Sequence, residues 1–257
     1  MFENNLTGLT DDEPVTASTQ PAAPVAASTQ PAKPTAASTK QTSPQHRTGD
    51  LANKQIIFDS NEDRFSVAEQ AMSDPEVLGM LIDNLAGGER RLRQFSAGAV
   101  AVVSEKQPEL LAPYIRQIAD ALHRPEAQTR YESLEALARI VAFDPESADD
   151  AIVGAEASLY DEENGPARLG AVRFLSAYGA LDAKRSQKVW PYIDEAIQCY
   201  HGDPEFQDML IAVIGFASGR PAKQVREALA ARMRFDAENA KGPLQRRAIQ
   251  IIELCKV

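Results

Sequence analysis

The sequence predicts an all-α fold: a right-handed α-solenoid of about four and a half helix pairs, preceded by a disordered N-terminal arm. Three observations carry that reading. Prolines that suit helix starts recur at a steady spacing. Pro125, Pro166, Pro204 and Pro243 lie 41, 38 and 39 residues apart, and an interleaved set (Pro108, Pro145, Pro221) lies 37 and then 76 apart. Arg93, Arg130 and Arg168 fall 37 and 38 residues apart, each followed three residues later by a small residue (Ser96, Ser133, Ala171). Ala-Pro-Tyr-Ile at 112–115 returns as Trp-Pro-Tyr-Ile at 190–193, two periods on. Two helix starts in each period of about 38 residues describe a helix–turn–helix repeat.

The chain opens with Phe2, Leu6 and Leu9 at i, i+4 and i+7, backed by Asp11, Asp12 and Glu13. That spacing makes residues 1–13 a candidate docking peptide with one apolar helical face. Residues 14–55 carry a ten-residue unit, PVTASTQPAA, PVAASTQPAK and PTAASTKQTS. Large apolar side chains are scarce there, so burial cannot offset chain entropy, and a disordered linker is expected. From 64 to 257 the pattern is helical. Lead-in helices are expected at 64–73 and 75–86. First helices of the pairs are expected at 89–106, 126–143, 166–181, 204–218 and 243–256, and second helices at 108–123, 146–161, 183–201 and 221–239. Proline fits the first helical position because its missing N–H needs no partner there. A following glutamate, as in Asp74-Pro75-Glu76 and Asp203-Pro204-Glu205, favours the positive helix end. The last helix is expected to cap the stack, with Leu244, Ile249, Ile252 and Leu254 inward and Arg246 and Arg247 outward.

Two stretches resemble the first helix of a HEAT repeat. They are Gly165-Pro166-Ala167-Arg168-Leu169-Gly170-Ala171-Val172-Arg173-Phe174-Leu175 and Arg130-Tyr131-Glu132-Ser133-Leu134-Glu135-Ala136-Leu137-Ala138. The resemblance, to the armadillo-like α-solenoids, covers about residues 75–257. It implies stacked helix pairs whose second helices line a concave binding face. It implies a non-catalytic scaffold or adaptor that holds a protein partner.

Composition narrows the alternatives. The net charge of −10 disfavours nucleic acid as a partner. The chain has no apolar run of membrane-spanning length, and its first residues do not read as a secretory leader, so a cytoplasmic protein is expected. Cys199 and Cys255 stand alone and form no metal motif. Phosphate-loop, His-Glu-x-x-His and Gly-x-Ser-x-Gly signatures are absent from the sequence. HEAT-like hydroxylases hold iron through His-Glu pairs, and none occurs here. No catalytic residue, metal or cofactor is therefore expected. Trp190 and Asp194, four apart on one helix, resemble the aromatic-plus-acid site of HEAT-like alkylpurine DNA glycosylases. That makes a nucleic-acid-processing protein one alternative, and a subunit or maturation factor of a larger enzyme another. A monomer or a member of a hetero-complex is expected.

Helical phase gives candidate protein-binding residues on the second helices: Tyr114, Arg116, Gln117, Asp149, Asp150, Lys188, Tyr192, Asp194, Glu195, Arg226 and Arg232. Residues 220–257 hold nine Lys/Arg against four acids. Arg220, Lys223, Arg234, Arg246 and Arg247 form a candidate basic patch there, read either as solvated surface or as a face for an acidic partner.

Overall fold

The computed structural model describes residues 63–256. The docking peptide at 1–13 and the linker at 14–55 lie outside the described residues. Within them the chain forms α1 (Arg64–Ser73), α2 (Pro75–Ala86), α3 (Arg90–Lys106), a 3-10 segment (Pro108–Tyr114), α4 (Ile115–Asp120), a second 3-10 turn (Ala121–His123) and α5 (Ala127–Ile140). It continues with α6 (Ala151–Leu159), α7 (Gly165–Gly179), α8 (Ala183–Cys199), α9 (Phe206–Ser218), α10 (Lys223–Asn239) and α11 (Gly242–Cys255). The architecture is an all-helical solenoid.

Side-chain caps start three of the described helices. The Asp63 and Asp74 side chains accept from the Phe65 and Glu76 backbone N–H groups at 3.2 and 2.9 Å. Where the interleaved proline set skips a place, the Asp182 carboxylate starts α8 by accepting from the Arg185 N–H at 2.9 Å. Two second helices are shorter than the spacing predicts. Pro113, only five residues after Pro108, offers no N–H, and that stretch is wound as 3-10 helix. At 144–150 the Asp144 carboxylate accepts from the Ser147 N–H at 3.2 Å and its hydroxyl at 2.6 Å. This local turn competes with helix, and α6 begins only at Ala151.

The helices form two layers. α1, α3, α5, α7, α9 and α11 pack directly on one another down the stack. The alternate helices α4, α6, α8 and α10 touch one another far less and pack mainly on helices of the first layer. A stack curves toward the layer whose helices sit closer, so the first helices are the inner layer. The expectation that second helices line the concave side is corrected. Small residues on α3, α5 and α7 (Ala97, Ala99, Ala136, Ala171) are fully buried and let the inner helices approach closely. Leu134, Leu137, Phe174, Tyr178, Leu210 and Phe216 fill the space between layers.

The periodic arginines pin neighbouring repeats. Arg93 donates to the Gly87 carbonyl at 2.7 Å behind it and, through Nε and Nη2, to both oxygens of Glu126 ahead of it. Arg130 holds the Arg124 and Pro125 carbonyls and donates to Asp161. Arg168 holds the Asp161 and Glu162 carbonyls and donates to Asp203 at 2.6 Å, with its guanidinium 5.0 Å from the Tyr200 ring centre. Each arginine thus closes the turn before its own helix and grips the turn before the next inner helix. Gln207 and Arg247 continue the register, and there the Gln207 amide oxygen accepts from Arg247.

That contact corrects the end of the stack. Arg247 reaches back to α9 instead of facing outward. Ile249 is the outward side chain, at 45% exposure, while Ala248, Ile251 and Cys255 are buried. Leu244, Ile252 and Leu254 pack half-buried against the core as expected, and Gly242 opens the helix at φ 66°, which glycine adopts without strain.

At Gly179 the packing leaves no room for a side chain. A Cβ there would lie 2.6 Å from both Phe216 Cε2 and Val189 Cγ2. Alanine is the better helix former by about 1 kcal/mol. Overpacking of a dense core costs about 1–3 kcal/mol, and both neighbours are fully buried. Gly179→Ala is therefore expected to lower stability by up to about 2 kcal/mol in urea denaturation. An unchanged midpoint would show that α9 can shift away.

Candidate binding groove

The solvent face of the inner layer carries a groove. Its main cavity, about 440 Å³, lies across three inner helices. It is lined by Glu135, Ala138 and Arg139 of α5, by Arg173, Ser176 and Ala177 of α7 with Ala180 just beyond it, and by Asp208, Ile211, Ala212 and Gly215 of α9. Spacing of three and four residues puts each set on one helix face. A second hollow of about 240 Å³ is lined by Arg64 and Phe65 of α1, by Gly98, Ala101, Val102 and Glu105 of α3, and by Tyr131 and Glu132 of α5. Glu135, Arg139 and Arg173 line both hollows, so together they run from α1 to α9.

The floor is built of small residues. Ala101, Ala138, Ala177 and Gly215 follow one another at intervals of 37, 39 and 38 residues. They are the solvent-side counterpart of the buried periodic positions. Ile211 and Phe65 are the large apolar side chains left open, at 51% and 46% exposure. Glu132 is buried and accepts from Arg64 at 3.0 Å. The Glu135 carboxylate takes Arg173 and, at 3.4 Å, Arg139. Burial, followed by the neighbouring Glu132 charge, pushes the Tyr131 phenol up from its ordinary value.

The candidate residues from helical phase lie mostly in bonds that hold the outer layer together. Asp149 accepts from Tyr178 at 2.5 Å and lies 3.7 Å from Lys188. Tyr192 donates to Glu156 at 3.2 Å, and Tyr160 donates to Glu195 at 2.5 Å. The hydrogen bond to Glu195 keeps the Tyr160 hydroxyl well above its usual pKa, so it stays a donor. Arg232 donates through Nε and Nη2 to Asp194 at 2.6 and 3.0 Å. Arg116 donates to Ser147, and Arg226 to the Pro221 carbonyl. Tyr114 packs on the core, Gln117 lines a small hollow between α2 and α4, and Asp150 is exposed.

The basic residues are spread out. Lys223 starts α10 beside Glu227, and Arg220 lies in the turn before it. Arg234 is eleven residues further along α10, about 16 Å at helical rise. Arg246 stands on α11, and Arg247 is bound to Gln207. Trp190 and Asp194 do share a hollow, with Ala228, Ala231 and Arg232. The carboxylate is already paired with that arginine, which leaves it poorly suited to a cationic base. Among the described residues no three His, Cys, Asp or Glu side chains gather as a metal site. No described helix is long and apolar enough to cross a membrane.

Solved structures share this fold. One is a designed armadillo repeat protein in complex with the peptide (KR)4, at TM-score 0.64 and 14% identity, covering 81% of this chain and 95% of that one. Another is a computationally designed armadillo repeat protein for modular peptide recognition, at TM-score 0.63 and 14% identity, covering 80% and 95%. The archaeal HEAT-like repeats protein from Thermococcus onnurineus NA1 matches at TM-score 0.52 and 12% identity, covering 82% and 98%. No family model and no curated protein sequence matches the chain. The chain has an armadillo/HEAT-like repeat fold.

Proposed function

We propose that this protein is a non-catalytic interaction scaffold of the cytoplasm whose inner groove holds an extended segment of a protein partner. One observation carries the reading. A surface running over α1, α3, α5, α7 and α9 has a floor of small residues, two exposed apolar side chains and charged walls. Small floor residues leave room for a backbone to lie across the helices. On the outer layer Tyr160, Tyr192 and Arg232 are instead bonded to side chains of the neighbouring repeat. The solved armadillo relative bound to a peptide supports the reading by analogy of fold.

A photoreactive residue placed at Ile211 in the groove is expected to crosslink a partner in the native cell. The same residue at Val153, 64% exposed on α6 of the outer layer, is expected to give none. Equal crosslinking from both positions, or from Val153 alone, would remove the groove from the proposal.

A further inference from the structure

We infer that the hollow between α8 and α10 is a docking site for a Pro-x-x-Pro segment, supplied by the N-terminal proline repeat of a second copy of this chain. The inference is independent of the groove. It replaces the monomer expected from the sequence with self-association.

The hollow, about 350 Å³, suits a ligand that accepts hydrogen bonds and donates few. Its one carboxylate is fully engaged. Asp194 accepts from Arg232 Nε and Nη2 at 2.6 and 3.0 Å and from the Gln198 amide at 3.0 Å. The charges of Asp194 and Arg232 cancel, so the hollow favours no charged ligand. Donors are left over. Arg232 has five N–H groups and uses two on Asp194, with its side chain 37% exposed. The Trp190 indole N–H is neither buried nor met by an acceptor among the described residues. The walls are apolar. Trp190 packs on the core and lines the hollow, and Ala228 and Ala231 lie opposite it on α10. Phe235 stands on the same face of α10, four residues past Ala231, and is 72% exposed. A ring left that open beside an apolar hollow marks an interaction surface.

Proline has the matching chemistry. It offers a carbonyl and no N–H, and proline-rich segments dock in aromatic-lined grooves. Polyproline II leaves its carbonyls unbonded within the segment and turns once in three residues, about 9 Å, so prolines three apart share a face. That span equals the roughly 8–10 Å between packed helices, which seats one proline at Trp190 on α8 and the other beside Phe235 on α10. The sequence holds two such units, Pro21-Ala22-Ala23-Pro24 and Pro31-Ala32-Lys33-Pro34, ten residues apart. Pro34 precedes Asp63 by 29 residues, a length of up to about 100 Å at full extension, so the units can reach a neighbouring molecule.

The probe is a fluorescein-labelled peptide of residues 18–35, with a control in which its four Pro-x-x-Pro prolines are alanine. Both are titrated by fluorescence anisotropy against the full chain carrying Pro21→Ala, Pro24→Ala, Pro31→Ala and Pro34→Ala, so that only the probe brings the proline units. The control keeps Lys33, so general attraction to the acidic chain is the same for both. The expected result is at least tenfold tighter binding of the native peptide. The preference should hold from low to moderate salt, because no charge is read. Phe235→Ala and Ala231→Leu, both at exposed positions of α10, should each remove most of it while circular dichroism stays helical. Sedimentation of the native full chain should show association that rises with concentration and is absent from the four-proline variant. Equal binding of the two peptides, or binding untouched by both hollow variants, overturns the proposal. A native chain that stays monomeric at every concentration overturns the second copy as the source.

Discussion

Replacing Arg93 with methionine is expected to destabilise the protein by about 3 kcal/mol at neutral pH. Methionine keeps the length and much of the packing of the arginine stem but removes the charge. Glu126, 7% exposed, then keeps only its own backbone N–H and the weaker field of Arg90. Breaking a buried ion pair from one side costs about 3–5 kcal/mol, because the remaining charge stays desolvated. The lower end applies here, since the turn lies near the surface of a two-layer stack. The Gly87 carbonyl also loses its donor.

The pH dependence identifies the cause. In the native protein the Arg93 hydrogen bonds hold the Glu126 carboxyl below the usual carboxylate range, against the opposing effect of burial. Its folded pKa is lower than its unfolded one. The pair's contribution is therefore full above the ordinary glutamate pKa and is lost as pH falls through the folded value. In Arg93→Met the sign reverses. With Arg93 gone, burial becomes the largest influence on the Glu126 carboxyl and pushes its folded pKa up, so protonation relieves the cost. The stability gap between the two proteins should be widest near pH 7 and shrink below about pH 4. Urea denaturation at several pH values measures it. A gap that stays constant with pH would assign the loss to packing and not to charge.

How much of this was legible in the sequence follows from what a linear period can encode. Proline and arginine spacing marked the inner helices from α3 to α11, because those positions recur in each repeat for local reasons: a helix start and a turn closure. The lead-in helices fell on their predicted residues, since Asp63 and Asp74 cap them within two positions. The layer geometry was less legible. Two helices per period leave open which of them faces inward. That choice depends on how closely the inner helices approach, which is set by small residues buried between them. The sequence did carry the signal in Ala101, Ala138, Ala177 and Gly215. Alanine is so common in this chain that their register stood out only once the neighbouring helices were in place. Helical phase named outer residues such as Asp194, Glu195 and Tyr192 as free for a partner. Each is met by a side chain 35 to 38 residues away, a pairing that no local pattern displays.

Replacing Phe216 with alanine is expected to cost about 4 kcal/mol, the middle of the range for removing a large buried aromatic. Its ring is fully buried and lies against the backbone at Gly179, where no side chain can move in to refill the space. The damage should not spread evenly. In a stack each pair touches its neighbours only, so stability is close to a sum of local contributions. α9 packs on α7, α8 and α11, and α11 packs on α9 and α10, so these C-terminal elements depend on the seam that Phe216 fills. Hydrogen exchange is therefore expected to show α9, α10 and α11 losing protection while α3 and α5 keep theirs. Loss of protection through the whole chain would show instead that the stack unfolds as one cooperative unit. The local opening has a functional reading as well. α9 supplies Asp208, Ile211, Ala212 and Gly215, one wall of the main cavity. Under conditions where most helix signal survives, Phe216→Ala should already lose the partner crosslinked from Ile211, because the groove exists only while the inner helices on both sides of it are stacked.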